Sequence, residues 1–193
     1  MFTPPQEERR QAQEALAYIR QTMESASSFT ALSGWGLVAV GVIGLAAAGT
    51  AWRLGQPAKL SIWIPAALLG VVSAGVANAL KARRLDVPLW SGSFRKVAWV
   101  MTPALATGAL LTIALVNAGA IHLLSGTWLA LYGAGVTAGG TFSLRAVRWM
   151  GLALIVLGAL AMGMPQQSIV FLAAGFGALH ILFGLYLVGK HGG

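Results

Sequence analysis

The sequence predicts an all-α fold, a polytopic transmembrane helical bundle of six spans preceded by an amphipathic helix. Three observations carry this prediction. From Ala31 to Gly189 the chain is a succession of long apolar runs rich in Gly and Ala. Nearly every charge falls in the short segments between the runs. Apolar residues make up 57% of the chain and charged ones 9%, with a mean hydropathy of +0.75, where a soluble domain carries about 25% charged residues. A peptide group left unpaired in hydrocarbon costs several kcal/mol, so each run is expected to close its hydrogen bonds as a helix.

The first element is the arm, residues 1-28. Between Gln6 and Ser27, Ala12, Ala15, Leu16, Ile19, Met23 and Ala26 recur at helical spacing, which predicts an amphipathic helix. With Glu7, Glu8, Glu14 and Glu24 set against Arg9, Arg10 and Arg20, attraction to lipid by charge alone is weak. The arm is expected to lie on the membrane or, better suited to its mixed charge, under the bundle; its functional alternatives are docking of a cytoplasmic partner or a gate. Its acidic residues also distinguish it from the short basic n-region of a cleaved signal peptide, although Leu37–Ala48 resembles an h-region. An uncleaved first span is the expected arrangement.

The membrane domain, 29-193, is read as six spans: Phe29–Trp52, Leu60–Leu80, Val97–Val116, Ile121–Phe142, Val147–Met164 and Ser168–Val188. Each approaches the roughly 20 residues needed to cross the hydrocarbon core. Pro65 and Pro103 are placed near the starts of the second and third spans, where a missing amide donor costs little. Pro165 closes the fifth span and Gly189 ends the sixth. Basic residues collect on one side: the arm's arginines, Lys81, Arg83, Arg84, Arg95, Lys96, Arg145, Arg148 and Lys190, with only Arg53 and Lys59 on the other. The positive-inside rule then puts both termini in the cytoplasm. Arg83, Arg84, Arg95, Lys96, Arg145 and Arg148 form a basic rim expected to meet anionic lipid headgroups or an acidic protein partner. The net charge of +8 is thus explained by lipid, and no nucleic-acid partner is expected.

The two halves, 29-118 and 119-193, echo each other as an inverted 3+3 repeat. Ser33-Gly34-Trp35-Gly36-Leu37 is matched by Ser125-Gly126-Thr127-Trp128-Leu129, and Gly41 by Gly133 at the same separation. Inverted repeats are common in transporters, whose sites lie between the halves. Independently of duplication, Gly34, Gly41, Gly126, Gly133, Gly140, Gly177 and Gly184 are expected at helix–helix contacts, where small residues let backbones approach.

No Asp, Glu, Lys or Arg falls well inside a predicted span, which disfavours proton pumps and ion exchangers. His180, near the middle of the last span, is the exception among titratable side chains. Its alternatives are an interhelical hydrogen bond to a Thr, Tyr or carbonyl, contact with a ligand, or binding of a metal or haem. Tyr132, Thr137 and Trp128 on the fourth span are its candidate ligand-binding partners. His122 and His191 are predicted at other depths, so no metal site and no cofactor is expected. There is no phosphate-binding glycine loop, HExxH helix or serine nucleophile elbow. With Asp86 the sole acidic residue after Glu24, paired-carboxylate chemistry has no equipment, and no catalytic residue is assigned.

The segment Gly126-Thr127-Trp128-Leu129-Ala130-Leu131-Tyr132-Gly133-Ala134-Gly135-Val136-Thr137-Ala138-Gly139-Gly140, with Gly175-Phe176-Gly177-Ala178-Leu179-His180-Ile181 and the ending His191-Gly192-Gly193, resembles an uncharacterised family of small bacterial six-span integral membrane proteins. That resemblance implies a compact bundle in the bacterial inner membrane and transfers no activity. Two functions are expected to compete. One is a small transporter or permease for a neutral or weakly polar solute; the other is a membrane sensor or assembly subunit, alone or as a homo-oligomer, that binds a cytoplasmic partner. They separate on whether His180 borders a cavity or is packed against a satisfied polar neighbour.

Overall fold

The computed structural model describes residues 6–26, 32–55, 59–85 and 92–191, and every regular element among them is helical. In chain order these are α1 (Gln6–Ala26), α2 (Gly34–Arg53), α3 (Leu60–Arg84), α4 (Gly92–Asn117), α5 (Leu124–Gly139), α6 (Arg145–Gly163), α7 (Ser168–Leu172) and α8 (His180–His191). Short 3₁₀ turns precede and follow α5, at Ile121–Leu123 and Gly140–Phe142, and a third, Pro165–Gln167, leads into α7. Between α7 and α8 the helix widens into a π-helical segment, Ala173–Leu179. Five of the helical stretches are long and apolar enough to cross a membrane: α2, α3, α4, α6, and the rod from Pro165 through α8. The predicted fourth span contains only 16 residues of α-helix, because both of its ends tighten into 3₁₀ geometry.

Two antiparallel helix pairs form the centre. In the first, α2 lies against α8 and the π-helical segment. A Cβ added at Gly34 would stand 2.6 Å from the Gly184 carbonyl oxygen, and one at Gly184 would stand 2.7 Å from that of Gly34. One helical heptad further on, a Cβ at Gly41 would lie 2.8 Å from the Gly177 carbonyl oxygen. In the second pair, α5 lies against α6. Gly126 faces Gly158, and Gly133 faces Gly151, with each added Cβ 2.7–2.8 Å from the opposing carbonyl oxygen. No side chain other than hydrogen fits at such a backbone approach, where dispersion and weak interhelical contacts hold helices together without a hydrophobic drive. Gly140 plays a related role at the end of α5, where an added Cβ would meet the Arg148 amide nitrogen at 2.7 Å.

The buried core joins the two pairs. Leu129 of α5, Leu154 of α6 and Leu187 of α8 are essentially inaccessible, with Met150 and Leu172 close behind. The remaining long helices are outriders. α3 packs on α2, and α4 packs on α5. Both carry rows of exposed apolar side chains, including Ile64, Leu68, Val72 and Val76 on α3 and Leu110 and Ile113 on α4. An apolar surface of this kind is what a helix at the edge of a membrane bundle presents to lipid.

Local features explain several boundaries. Ser33 caps α2: its hydroxyl accepts from the Gly36 amide at 3.2 Å, while its own amide donates to Asn78 Oδ1 at 2.8 Å. Asn78 thus ties the end of α3 to the start of α2, an extension of the capping role expected for Asn near a helix end. Lys81, expected in an exposed loop, is instead buried one turn later and donates to the Leu32 carbonyl oxygen at 3.2 Å. Its burial follows from α3 continuing to Arg84, which carries Lys81 onto the face that covers the start of α2. α4 likewise starts earlier than its apolar run, so Pro103 lies inside the helix and not at its start. The proline leaves the Trp99 carbonyl without its usual amide donor. Trp99 itself is exposed. The left-handed residues at the two described turns, Gly55 (φ 61°) after α2 and Gly119 (φ 69°) after α4, are glycines, as that conformation favours.

The Ser33/Ser125 echo has unequal structural content. Ser33 is an N-cap, whereas Ser125 lies within the first turn of α5 and its buried hydroxyl has no hydrogen-bond partner among the described residues. The glycines of the echo do serve alike, each in a close antiparallel contact. Their partners, however, come from the last helical rod for α2 and from α6 for α5, so the two pairings do not follow the chain order of a 3+3 repeat.

Candidate functional site

The π-helical segment places a polar cluster in the core. Its sequence, Ala173-Ala174-Gly175-Phe176-Gly177-Ala178-Leu179, is buried at Gly175 and Gly177 and exposed at Ala178. Leu129 and Leu154 press onto Gly175, and Leu45 of α2 presses onto Gly177. A π turn holds more residues than an α turn and commonly marks a functional or strained position. Here the Gly175 carbonyl oxygen is met by the side chain of the residue five positions later: His180 Nδ1 lies 2.8 Å from it. A carbonyl only accepts, so Nδ1 carries the proton and donates.

The other ring nitrogen meets Tyr132 of α5, whose hydroxyl lies 3.1 Å from Nε2. In a neutral imidazole protonated at Nδ1, Nε2 has a lone pair, and the Tyr132 hydroxyl donates to it. His180 is therefore satisfied on both sides and is 0% exposed. Aromatic rings complete the enclosure. Phe176 lies 5.3 Å from Tyr132 and 6.1 Å from His180 between ring centroids, and Trp63 of α3 lies 6.3 Å from Phe176. The Tyr132 and His180 rings are themselves stacked at 5.6 Å. On the same rod, Gly177 and Gly184 are covered by α2, through Leu45 and Val38.

Of the candidate partners of His180, the structure brings only Tyr132 to it. Tyr132 is one position off the Gly133 contact stripe and so points away from α6 toward the last rod. Thr137 faces the other way: its hydroxyl donates to the Gly133 carbonyl oxygen at 2.8 Å and abuts Gly151 of α6. Trp128 turns toward α4, where its ring covers Gly108 and its Nε1 donates to Thr112 Oγ1 at 2.9 Å. Phe176 and Trp63 were not among the expected site residues. Phe176 could have been found from its position one turn before His180. Trp63 had no local signal, because only the packing of α3 beside α2 brings it there.

His122 lies exposed in the turn before α5, and the side chain of His191 is outside the described residues. No group of three or more metal-ligating side chains occurs among the described residues. The rim residues Arg83, Arg84, Arg95, Lys96, Arg145 and Arg148 are all exposed. Lys96 Nζ stands 5.9 Å from the centroid of the Phe142 ring, which joins the start of α4 to the turn before α6. Arg145 and Lys190 border one groove between α6 and α8.

Fold and site together define an all-helical, apolar bundle, compatible with a membrane protein, whose central histidine is locked between a tyrosine and a backbone carbonyl. No family model, curated protein or solved structure matches the chain.

Proposed function

We propose that this protein is a six-span integral membrane protein of the bacterial inner membrane that serves as a sensor or assembly subunit, with both termini in the cytoplasm. Membership of the small bacterial family suggested by the Gly126–Gly140 segment is part of the same proposal. The observation that carries the function is the state of His180. A group that bound and released a solute would need an unsatisfied nitrogen or open space beside it, and His180 has both nitrogens engaged and no exposure. What remains available for interaction is peripheral: the α1 arm, the basic end of the bundle, and the exposed apolar faces of α3 and α4.

The fourth span, which brings the number to six, is α5 with its two 3₁₀ turns. Sixteen α-helical residues and two three-residue turns span about 36 Å at 1.5 and 2.0 Å per residue, enough for a core of about 30 Å. The orientation is tested by single cysteines in this cysteine-free chain. Leu54→Cys, in the turn after α2, should react with an impermeant maleimide on intact cells. Leu85→Cys, after α3, should react only once the membrane is permeabilised. The reverse pattern would overturn the orientation.

Function is tested by reconstituting the full chain in sealed vesicles and following entry of a panel of polyols, sugars and neutral amino acids. Flux no greater than that of empty vesicles is expected, together with a cross-linked complex on native membranes that disappears when residues 1–26 are deleted. Protein-dependent flux would instead favour the permease reading. One observation supports that second reading: the π-helical segment against α2 is a place where a helix could change register and open. If so, Gly177→Ala should reduce flux. The inverted repeat belongs to the permease reading; its support is the sequence echo between α2 and α5, and the partners that the echoed glycines take do not add to it.

A further inference from the structure

A groove of ≈580 Å³ runs between the start of α6 and the end of α8. Its walls are apolar and aromatic, formed by Trp149 of α6 and Leu182, Phe183 and Tyr186 of α8, and its rim carries Arg145 and Lys190. Trp149 and Leu182 are each 62% exposed and Tyr186 49%, so these large apolar surfaces face outward and are not spent on the core. Lys190 Nζ is steered over the groove by Tyr186, donating to its hydroxyl at 3.2 Å and lying 5.6 Å from its ring centroid. Neither Arg145 nor Lys190 forms an ion pair among the described residues, where the ion pair observed is Arg10–Glu14 on α1.

Two cations above an apolar slot complement the chemistry of a phospholipid. The headgroup phosphate meets the guanidinium and ammonium, and an acyl chain fills the slot past Phe183 and Leu182. Trp and Tyr at this level suit the boundary between headgroup and hydrocarbon. We infer that the α6–α8 groove is a binding site for one anionic phospholipid, held by Arg145 and Lys190. This goes beyond a diffuse basic rim: it predicts a defined site, separate from Arg83 and Arg84 at the end of α3. It rests on the membrane reading proposed above.

The test is native mass spectrometry of the full chain, extracted in mild detergent and offered equimolar phosphatidylglycerol and phosphatidylcholine. The wild-type chain should retain phosphatidylglycerol in preference. Each basic residue near an anionic headgroup contributes about fivefold, so Arg145→Gln with Lys190→Gln should lower that preference about 25-fold. Arg145→Lys with Lys190→Arg should keep it, and Arg83→Gln with Arg84→Gln should leave it largely unchanged. A preference unaffected by the groove pair, or lost equally with the α3 pair, would overturn the site in favour of general charge attraction. Absence of any phosphatidylglycerol preference would also overturn it. Quenching of Trp149 fluorescence by brominated phosphatidylglycerol, judged by its loss in Trp149→Phe, supplies an independent reading: quenching no stronger than with brominated phosphatidylcholine would count against the site. Failure of the membrane reading itself would show separately, as release of the wild-type chain from cell membranes by alkaline carbonate.

Discussion

Replacing His180 by Phe should destabilise the bundle more than replacing Tyr132 by Phe, and the two changes should be coupled. His180→Phe retains an aromatic ring but leaves the buried Tyr132 hydroxyl without its partner and removes the hydrogen bond from Nδ1 to the Gly175 carbonyl oxygen. Each orphaned group costs about 1–3 kcal/mol. Tyr132→Phe removes one hydrogen bond and orphans only Nε2, at a cost of about 1–3 kcal/mol. In the double variant the Tyr132 hydroxyl is no longer there to be orphaned. The combined loss should therefore fall short of the sum of the single losses by about 1 kcal/mol. Unfolding midpoints in one detergent at one heating rate, followed by tryptophan fluorescence, give the comparison, with the rate held fixed because unfolding of such proteins is commonly irreversible. A His180→Phe protein as stable as the wild type would remove the structural role and make His180 a ligand-binding candidate again. This experiment also bears on the proposed function, since a histidine kept for packing should affect stability first.

Gly133→Ala is expected to force α5 and α6 apart. Its Cβ would lie 2.7 Å from the Gly151 carbonyl oxygen, 2.8 Å from the Ile155 amide nitrogen and 2.9 Å from the Leu154 Cβ. Two of these are backbone atoms, and the third belongs to a side chain that is itself fully buried. Nothing at the contact can rotate away, so the added methyl is accommodated only by moving one helix against the other. Overpacking of this kind costs about 1–3 kcal/mol, or roughly 2–4 °C of melting temperature for each kcal/mol in a chain of this size. Gly49→Ala, on α2, is the matched control, because nothing lies within 4 Å of a Cβ placed there. It should be neutral or stabilising by up to about 1 kcal/mol, through the lower entropy cost of ordering Ala in a helix. Equal effects at both positions would mean that helix propensity, and not the α5–α6 approach, sets the response.

These two predictions stand at different distances from the sequence. Helix existence was legible throughout, because hydropathy is a sum over neighbours in the chain and needs no knowledge of contacts. The start of α3 at Leu60, the ends of the α5 rod at Ile121 and Phe142, and the start of α7 at Ser168 all agree with the spans read from the sequence. The 3₁₀ tightening at both ends of α5 was not legible, since it reflects how those turns meet α4 and α6. The beginning of α4 was misplaced for a related reason. Its first turns are polar enough to look like loop, yet they continue the helix.

The candidate site divides in the same way. That His180 needs a hydrogen-bond partner in an apolar setting follows from its chemistry alone, and Tyr132 is one of three side chains on α5 that could supply it. Thr137 and Trp128 lie on the same helix and are equally plausible from spacing, but they face α6 and α4. A rotation of one position along α5 separates Tyr132 from the Gly133 stripe. Only the observed pairing of α5 with α6 converts that offset into a direction toward His180.

Residue order and hydropathy suffice to say that this protein is built from apolar helices, where its small residues and charges fall along them, and that its chemistry is sparse. Those properties are local, set by transfer of side chains and peptide groups out of water. The tertiary structure decided which glycine meets which: Gly34 with Gly184 and Gly133 with Gly151. It also decided that Lys81 is buried, and that residues 48 positions apart, Tyr132 and His180, share a hydrogen bond. The physical reason is that faces rich in Gly and Ala are nearly interchangeable as sequence. Their choice of partner is made by shape and by the satisfaction of a few buried polar groups, and both arise only when the helices are together.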